Sequence, residues 1–481
     1  MSRTQRITLV AAIFGSGVAL IDGTIVNVAL PAIERDLGGG LPAQQWVSNA
    51  YMLTLGSLIL IGGSLGDIYG ERKVFAIGVA SFGALSIACA AAPSIGWLIA
   101  ARALQGAAGA LVTPSSLAII IAAFPPKERG AAIGTWTAWG GIATIVGPLA
   151  GGAIVDQVSW RWIFALNVPL VVVTVVLILA AMPTTTRPAA RAIDVPGAIL
   201  CALGLGGFVF GLIEEPRFGW TSPAILAPLL GGVITFAAFL AYERRAEQPM
   251  LELDLFRRRN FAVGNLETLA MYGGLSVLFF FLVIVLQQVA GYSALRAGLA
   301  TVPVTVVMFT LSRWFGTLAD RHGPRIFMGA GPLVSAAGTL LFLRVGTHAA
   351  YVSDVLPPLL VFALGLAMTV APLTATVLAD ADETDAGIAS AVNNAVARVA
   401  GLVGVSVVGV AIASRLKGDT FTASSASVHA FHEAILICAA LLAAGGIAGA
   451  LGIVDPRRAV DPRKCSGGQL AGVPAPAVET K

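Results

Sequence analysis

Fourteen apolar runs, each near the length at which a helix crosses a bilayer, follow one another between residues 7 and 454. A helix rises about 1.5 Å per residue, so roughly 20 residues span the ~30 Å of hydrocarbon. In that medium every backbone polar group must be satisfied within the chain, which leaves a helical bundle as the open solution. Composition agrees: 57% of residues are hydrophobic and 12% charged, against about a quarter charged in soluble domains. The expected fold class is an all-α polytopic membrane protein. The first run follows Arg3 and Arg6 and imitates a signal peptide, but no small-residue cleavage site follows and further spans keep coming, so it is expected to be retained as helix 1.

An even number of spans puts both termini on one side, and basic residues decide which. With the N terminus in the cytoplasm, twenty Lys and Arg fall inside and seven outside, while Arg102, Arg313 and Arg398 lie within spans. Both termini are therefore expected to be cytoplasmic. Cys89, Cys201 and Cys438 lie inside apolar segments and Cys465 in the tail, a pattern that suggests neither a disulfide framework nor a metal knot. The net charge of +4 is spread over loops without interleaved aromatics, so it does not indicate nucleic acid.

An internal repeat says more than the helix count. Gly63-Ser-Leu65-Gly-Asp67-Ile-Tyr-Gly70 matches Gly316-Thr-Leu318-Ala-Asp320-Arg-His-Gly323 position for position, and each closes the second helix of a six-helix unit. Two related halves that both begin inside imply a parallel repeat about an axis along the membrane normal. The offset of 253 residues exceeds six helices, and the surplus fits two inserted helices at 194–213 and 223–242. The organisation expected is an N-terminal six-helix bundle over 1–182, the inserted pair with a basic linker over 183–260, a C-terminal six-helix bundle over 261–455, and a disordered cytoplasmic tail over 456–481.

Asp22, in Leu20-Ile-Asp22-Gly-Thr24-Ile-Val-Asn27, is the residue that most needs a function. A carboxylate deep in a membrane helix costs at least about 2.5 kcal/mol, so it is a functional hypothesis by default. Counted from the start of the run it falls in the outer half of the bilayer. Burial penalises its charged form, so protonation and substrate binding can compete there. The alternative is a permanent structural tie to Thr24, Asn27 or Arg102. Arg102 has Gln105 on its own face of helix 4. It either holds Asp22 ionised or snorkels to the outer interface. Asp67 and Asp320 end helices where the macrodipole disfavours acids, so they call for partners such as Arg72, Lys73, Arg321 and Arg325.

These segments together resemble the major facilitator superfamily, in particular its fourteen-helix drug:proton antiporter group of bacterial multidrug and antibiotic exporters. The resemblance runs from helix 1 to helix 14. Leu20 to Pro31 is similar to that group's helix-1 motif, Gly63 to Lys73 to the superfamily's loop motif, and Arg102-Ala-Leu-Gln105-Gly106-Ala-Ala-Gly109 to the helix-4 motif. Gly147-Pro148-Leu-Ala-Gly151-Gly152 resembles the helix-5 antiporter signature. Asn167 and Pro169, after Trp160-Arg161-Trp162, and Asn393-Asn394 in helix 13 also look like this group. The resemblance implies two six-helix bundles plus two inserted helices. It implies that Asp22 and Arg102 take part in proton coupling, and Asn27 and Gln105 are grouped with them. It also implies a conformational latch formed by Gly63, Asp67, Gly70, Arg72, Lys73, Asp320 and Gly323. Ile68 departs from the pattern, where a basic residue often follows the aspartate, and this weakens the choice of latch partner.

In the second half, Glu267, Tyr272, Asn394 and Arg398 are candidates for a cavity, and Arg398 could repel cations or attract an anionic group. Phe279, Phe280, Phe281, Trp136, Trp139 and Tyr51 suit either an aromatic pocket or packing. Gly62-Gly-Ser64-Leu-Gly66 reads as a hydrolase elbow but lacks its strand-turn-helix setting, and His429-Ala-Phe-His432-Glu433 lacks the rest of a metal set. The expectation is a transporter and not an enzyme: a proton-coupled antiporter that exports drugs or other small lipophilic compounds, cations among them, by alternating access. No cofactor is expected beyond the proton gradient. Its partners are protons, cargo and the bilayer of a bacterial cytoplasmic membrane, and it acts as a monomer. A dedicated exporter of one endogenous compound, such as a secondary metabolite, siderophore or lipid precursor, is the alternative, and a non-transporting membrane sensor a further one.

Overall fold

The structure, a computed structural model, describes residues 1–181, 194–379, 386–416 and 420–455. Its fourteen spans are α1 (Arg3–Leu37), α2 (Gly40–Tyr69), α3 (Glu71–Ala90), α4 (Ile95–Ala123), α5 (Lys127–Gln157), α6 (Arg161–Ala180), α7 (Val195–Phe218), α8 (Pro223–Glu243), α9 (Arg259–Gln288), α10 (Ala294–His322), α11 (Pro324–Arg344), α12 (Tyr351–Ala379), α13 (Ile388–Ala413) and α14 (Ser425–Gly452). The tail expected over 456–481 lies outside the described residues. α1 and α14 are longer than hydropathy suggests. α1 runs through Glu34, Arg35 and Asp36 to Leu37, because charged residues end an apolar run without ending a helix. This moves Asp22 from the outer half to near the middle of α1, about 28 Å along a helix of about 52 Å.

Apolar faces point outward as lipid requires. Val172, Val176 and Leu179 form one exposed stripe on α6, and Leu230 and Ile234 another on α8. Between helices lipid removes the hydrophobic drive, so close approach at small residues has to hold the bundle. Gly106 is one such point: a Cβ there would stand 2.2 Å from the Tyr51 carbonyl, so α4 and α2 touch backbone to backbone. Gly331 and Gly365 do the same for α11 and α12.

The repeat seen in the sequence is also a repeat of packing. In the first half α1 packs on α5 and α6, α2 on α4, and α3 on α4 and α6; in the second half α9 packs on α13 and α14, α10 on α12, and α11 on α12 and α14. Both repeat loops turn through a glycine of positive φ, +90° at Gly70 and +93° at Gly323, where a side chain would be strained. The N–H of Gly70 bonds the Gly66 carbonyl and that of Gly323 the Ala319 carbonyl.

The inserted pair packs mutually through Gly204 and Gly232, and α7 lies against α2 and α13. Trp46 Nε1 donates to Glu214 Oε1 at 2.8 Å, tying α2 to α7. Asp194 caps α7 by accepting from the Gly197 N–H at 2.8 Å and also accepts from the Met250 N–H. The start of the pair is thereby fixed to the linker that follows it.

The two halves meet along a seam of α1 with α9, α2 with α13 and α5 with α10. Its hydrogen bonds gather at the end away from the repeat loops. Gln45 Nε2 donates to the Val405 carbonyl, Asn49 Nδ2 to Ser406 Oγ and Gln287 Nε2 to the Val28 carbonyl. Asp156, at the end of α5, accepts from the N–H groups of Ala294 and Leu295, both at 2.9 Å. A carboxylate from one half thus caps a helix N-terminus of the other. Towards the repeat loops, the last described polar contact between the halves is that of Arg398 with Met52.

Candidate functional site

Asp22 is wholly buried, with Arg102 1% exposed. Arg102 Nη1 donates to Asp22 Oδ2 at 2.5 Å and to Gln105 Oε1 at 2.6 Å, while its Nε donates to the Val47 carbonyl at 3.1 Å. Asp22 Oδ1 accepts from Gln105 Nε2 at 3.2 Å and Asn167 Nδ2 at 3.1 Å. Both amides also donate to Ser86 Oγ, at 2.8 and 3.3 Å. The Tyr51 ring covers the Arg102 guanidinium, 4.3 Å from its centre. One carboxylate on α1 therefore gathers donors from α4 and α6, with α3 and α2 behind them.

Local structure explains the placement. Arg102 and Gln105 are three residues apart on α4, so they share a face, and Gly106 beside them lets α2 come close enough to lay Tyr51 on that face. α6 breaks its helical run at Leu166, between Arg161–Ala165 and Asn167–Ala181. Asn167 opens the second segment, with its Oδ1 buried and without a partner.

Of the alternatives for Asp22, the tie to Arg102 is the one present. Thr24 Oγ1 instead donates to the carbonyls of Leu20 and Ile21, and half-buried Asn27 makes no described bond to Asp22. Snorkelling of Arg102 is ruled out by its burial. Ser86 and the Tyr51 stack escaped sequence reading, and Asn167 was legible only as part of a resemblance.

The helix-5 motif lies where three helices cross. A Cβ on Gly147 would meet Thr24 and one on Gly151 would meet Ile25, both on α1. One on Gly152 would stand 2.5 Å from the Leu295 Cα, and the Pro148 carbonyl lies against Gly298 of α10. The motif thus brings α5 against α1 within its own half and against α10 across the seam.

The expected latch pairs are not formed. Asp67 and Asp320 are exposed and have no ion pair among the described residues. Arg72 donates to the Leu179 carbonyl, and Arg325 to the Ala450 carbonyl. With the halves joined at the far end, the acids at this end stand apart.

The second-half candidates do not form one cavity. Glu267 is fully buried, with neither carboxyl oxygen hydrogen-bonded, and faces Gly449 of α14 and the Met328 carbonyl of α11. On another face of α9, Asn265 and Thr268 accept from Asn393 Nδ2. Asn394 is exposed and donates to the Ser390 carbonyl. Arg398 reaches across to Met52 of α2. A helix presents residues five apart on different sides, which separates Glu267 from Tyr272. Phe279 packs on Phe362, and Phe281 on Phe280 and Phe421, within the core. His432 bonds the Val345 carbonyl and Glu433 pairs with Arg415.

Two repeated six-helix halves, a polar cluster deep in one of them and a seam closed at one end define a membrane transporter. Among solved structures, a bacterial homologue of the human lysosomal transporter Spinster, in an inward-facing and unoccupied conformation, matches with a TM-score of 0.67 at 15% identity, over 94% of this chain and 97% of that one. Residues 12–405 match the model of the Major Facilitator Superfamily. The multidrug resistance protein Stp of Mycobacterium tuberculosis is 36% identical over 421 residues, 86% of this chain and 77% of Stp. The probable actinorhodin transporter of Streptomyces coelicolor is 35% identical over 401 residues, 81% of this chain and 69% of that protein. The chain belongs to the Major Facilitator Superfamily, within its fourteen-helix group of drug and antibiotic exporters.

Proposed function

We propose that this transporter is a proton-coupled antiporter that exports small lipophilic compounds by alternating access, with the repeat loops and both termini in the cytoplasm. The buried Asp22–Arg102 pair carries the reading. Arg102 also holds the Val47 carbonyl, Gln105 and the Tyr51 ring, all on α2 and α4, so it keeps partners when Asp22 takes a proton. Asp22 on α1 loses the charge that ties it to α4. Protonation therefore loosens α1, the helix that borders both α5 and the seam with α9. Deprotonation restores the tie.

In this orientation the Gln45, Asn49 and Asp156 contacts lie at the outer end, which supports reading this conformation as inward-facing. Proton entry down 100 mV supplies about 2.3 kcal/mol, and each pH unit about 1.4 kcal/mol more. That suffices for a cargo gradient of tenfold or better. The test is export by purified protein in liposomes under an imposed pH gradient; transport indifferent to the gradient would sink the coupling.

A second reading is favoured by the relatives. Because one of them is named for a single compound, actinorhodin, export of one endogenous product is the narrower form of the same function. A cargo screen separates the two.

A further inference from the structure

Arg398 sits about 15 Å along α13 from Ile388 and reaches across the seam to α2. Its Nη1 meets the Met52 sulfur at 3.9 Å, and its Nε is buried without a hydrogen-bond partner. Among the described residues it has no ion pair. Arg102 shows what a guanidinium in this protein needs when it is satisfied: a carboxylate, a carbonyl, an amide and a ring. Arg398 has five N–H donors to place and a thioether as its described partner.

Its position gives this lack a meaning. On the far side of Arg398, α2 and α13 are joined by the Gln45 and Asn49 bonds; towards the repeat loops no further hydrogen bond joins them among the described residues. Arg398 thus makes the polar contact between α2 and α13 that lies nearest the repeat loops among the described residues. The stretches 40–66, 131–155, 294–319 and 388–413 of the seam helices α2, α5, α10 and α13 contain no Asp or Glu. Asp22 is occupied by Arg102, and Glu267 faces α11 and α14. Arg313, exposed on α10 one turn beyond Phe309, which meets Gly141 of α5, adds a second positive charge on the way in.

We propose that the cargo of this transporter is a small lipophilic anion, a carboxylate or sulfonate, whose acid group is held by Arg398. The proposal rests on the exporter reading above and narrows its substrate class. A guanidinium pairs such a group bidentately, and a lipophilic cation would meet Arg398 and no counter-charge. Met52, which Arg398 meets, follows Tyr51, which covers Arg102, so the cargo arginine and the Asp22 pair engage adjacent residues of α2.

The test is binding by the full-length protein in zwitterionic lipid nanodiscs without any gradient, using 1-naphthaleneacetate, 1-naphthalenemethanol and (1-naphthylmethyl)trimethylammonium, with empty discs subtracted. The wild type is expected to bind the anion at least tenfold tighter than the cation. Arg398→Gln should weaken the anion at least tenfold, Arg398→Lys should restore most of it, and Arg398→Glu should invert the order. A wild type that prefers the cation, binds none of the three, or keeps its anion affinity in Arg398→Gln overturns the proposal. Because no gradient is present, failure of proton coupling leaves this result standing, and failure here leaves the coupling assay untouched.

Discussion

Asp22 and Arg102 form an ion pair, 2.5 Å between Oδ2 and Nη1, in which neither side chain meets solvent. Removing one partner of a buried pair leaves the other charge uncompensated, at a cost of about 3–5 kcal/mol. Arg102→Gln should therefore lower thermal stability in detergent sharply, and Asp22→Asn should do so as well. The double variant is expected to recover much of the stability and none of the transport. Additive losses in the double variant would show that the two residues do not act as a pair.

The neutral donors around Asp22 predict a graded series. Asn167→Ala removes one bond to the carboxylate and a longer one to Ser86, whereas Gln105→Ala removes one to the carboxylate, one to Ser86 and the acceptor used by both Arg102 and Cys89. A hydrogen bond to a charged group contributes about 1.5–3 kcal/mol. Gln105→Ala should be the more damaging in a melting assay, and a reversed order would contradict the geometry.

Much of this arrangement was legible in the sequence, and the reason differs from residue to residue. The spans follow from hydropathy, and the two halves from Gly63–Gly70 against Gly316–Gly323. Asp22 stands out because an acid is costly where it lies. Its partner Asn167 and the Ser86 behind it do not, since serine and asparagine are unremarkable in a membrane helix and reach the site only through packing of α6 on α1 and of α3 on α4 and α6. Asp156 reads as a residue ending a helix, and nothing local announces that it caps α10 of the other half. Glu267 and Tyr272 form a set with Arg398 by depth alone, and helical rotation turns Glu267 away from Tyr272.

Asp156 should control the closed end. Asp156→Ala leaves the N–H groups of Ala294 and Leu295 without their cross-seam acceptor. Spin labels at Arg35 and Arg344, on a background lacking the native cysteines, should show a shift towards longer distances in this variant by double electron–electron resonance. An unchanged distribution would mean that the cap does not hold the halves together.

Glu267 offers a test of which carboxyl carries the proton. It lacks any hydrogen-bond partner, so Glu267→Gln, which keeps its shape and cannot ionise, should leave gradient-driven transport within about twofold of wild type. Loss of coupling in Glu267→Gln with retention in Asp22→Asn would exchange their roles.

Asp67 and Asp320 are exposed and have no ion pair among the described residues, so Asp67→Asn should change stability by no more than about 0.5 kcal/mol. A role in the outward-facing state would show as reduced transport at unchanged stability. Unchanged turnover would remove the latch.

The most direct measurement loads liposomes containing the purified protein with a pH-reporting dye and follows proton movement when cargo from the naphthyl series and a panel of lipophilic drugs is added under an imposed gradient. Cargo-dependent proton flux in wild type, absent in Asp22→Asn, is the predicted result. Cargo movement without proton flux, or flux that survives in Asp22→Asn, would contradict coupling through Asp22.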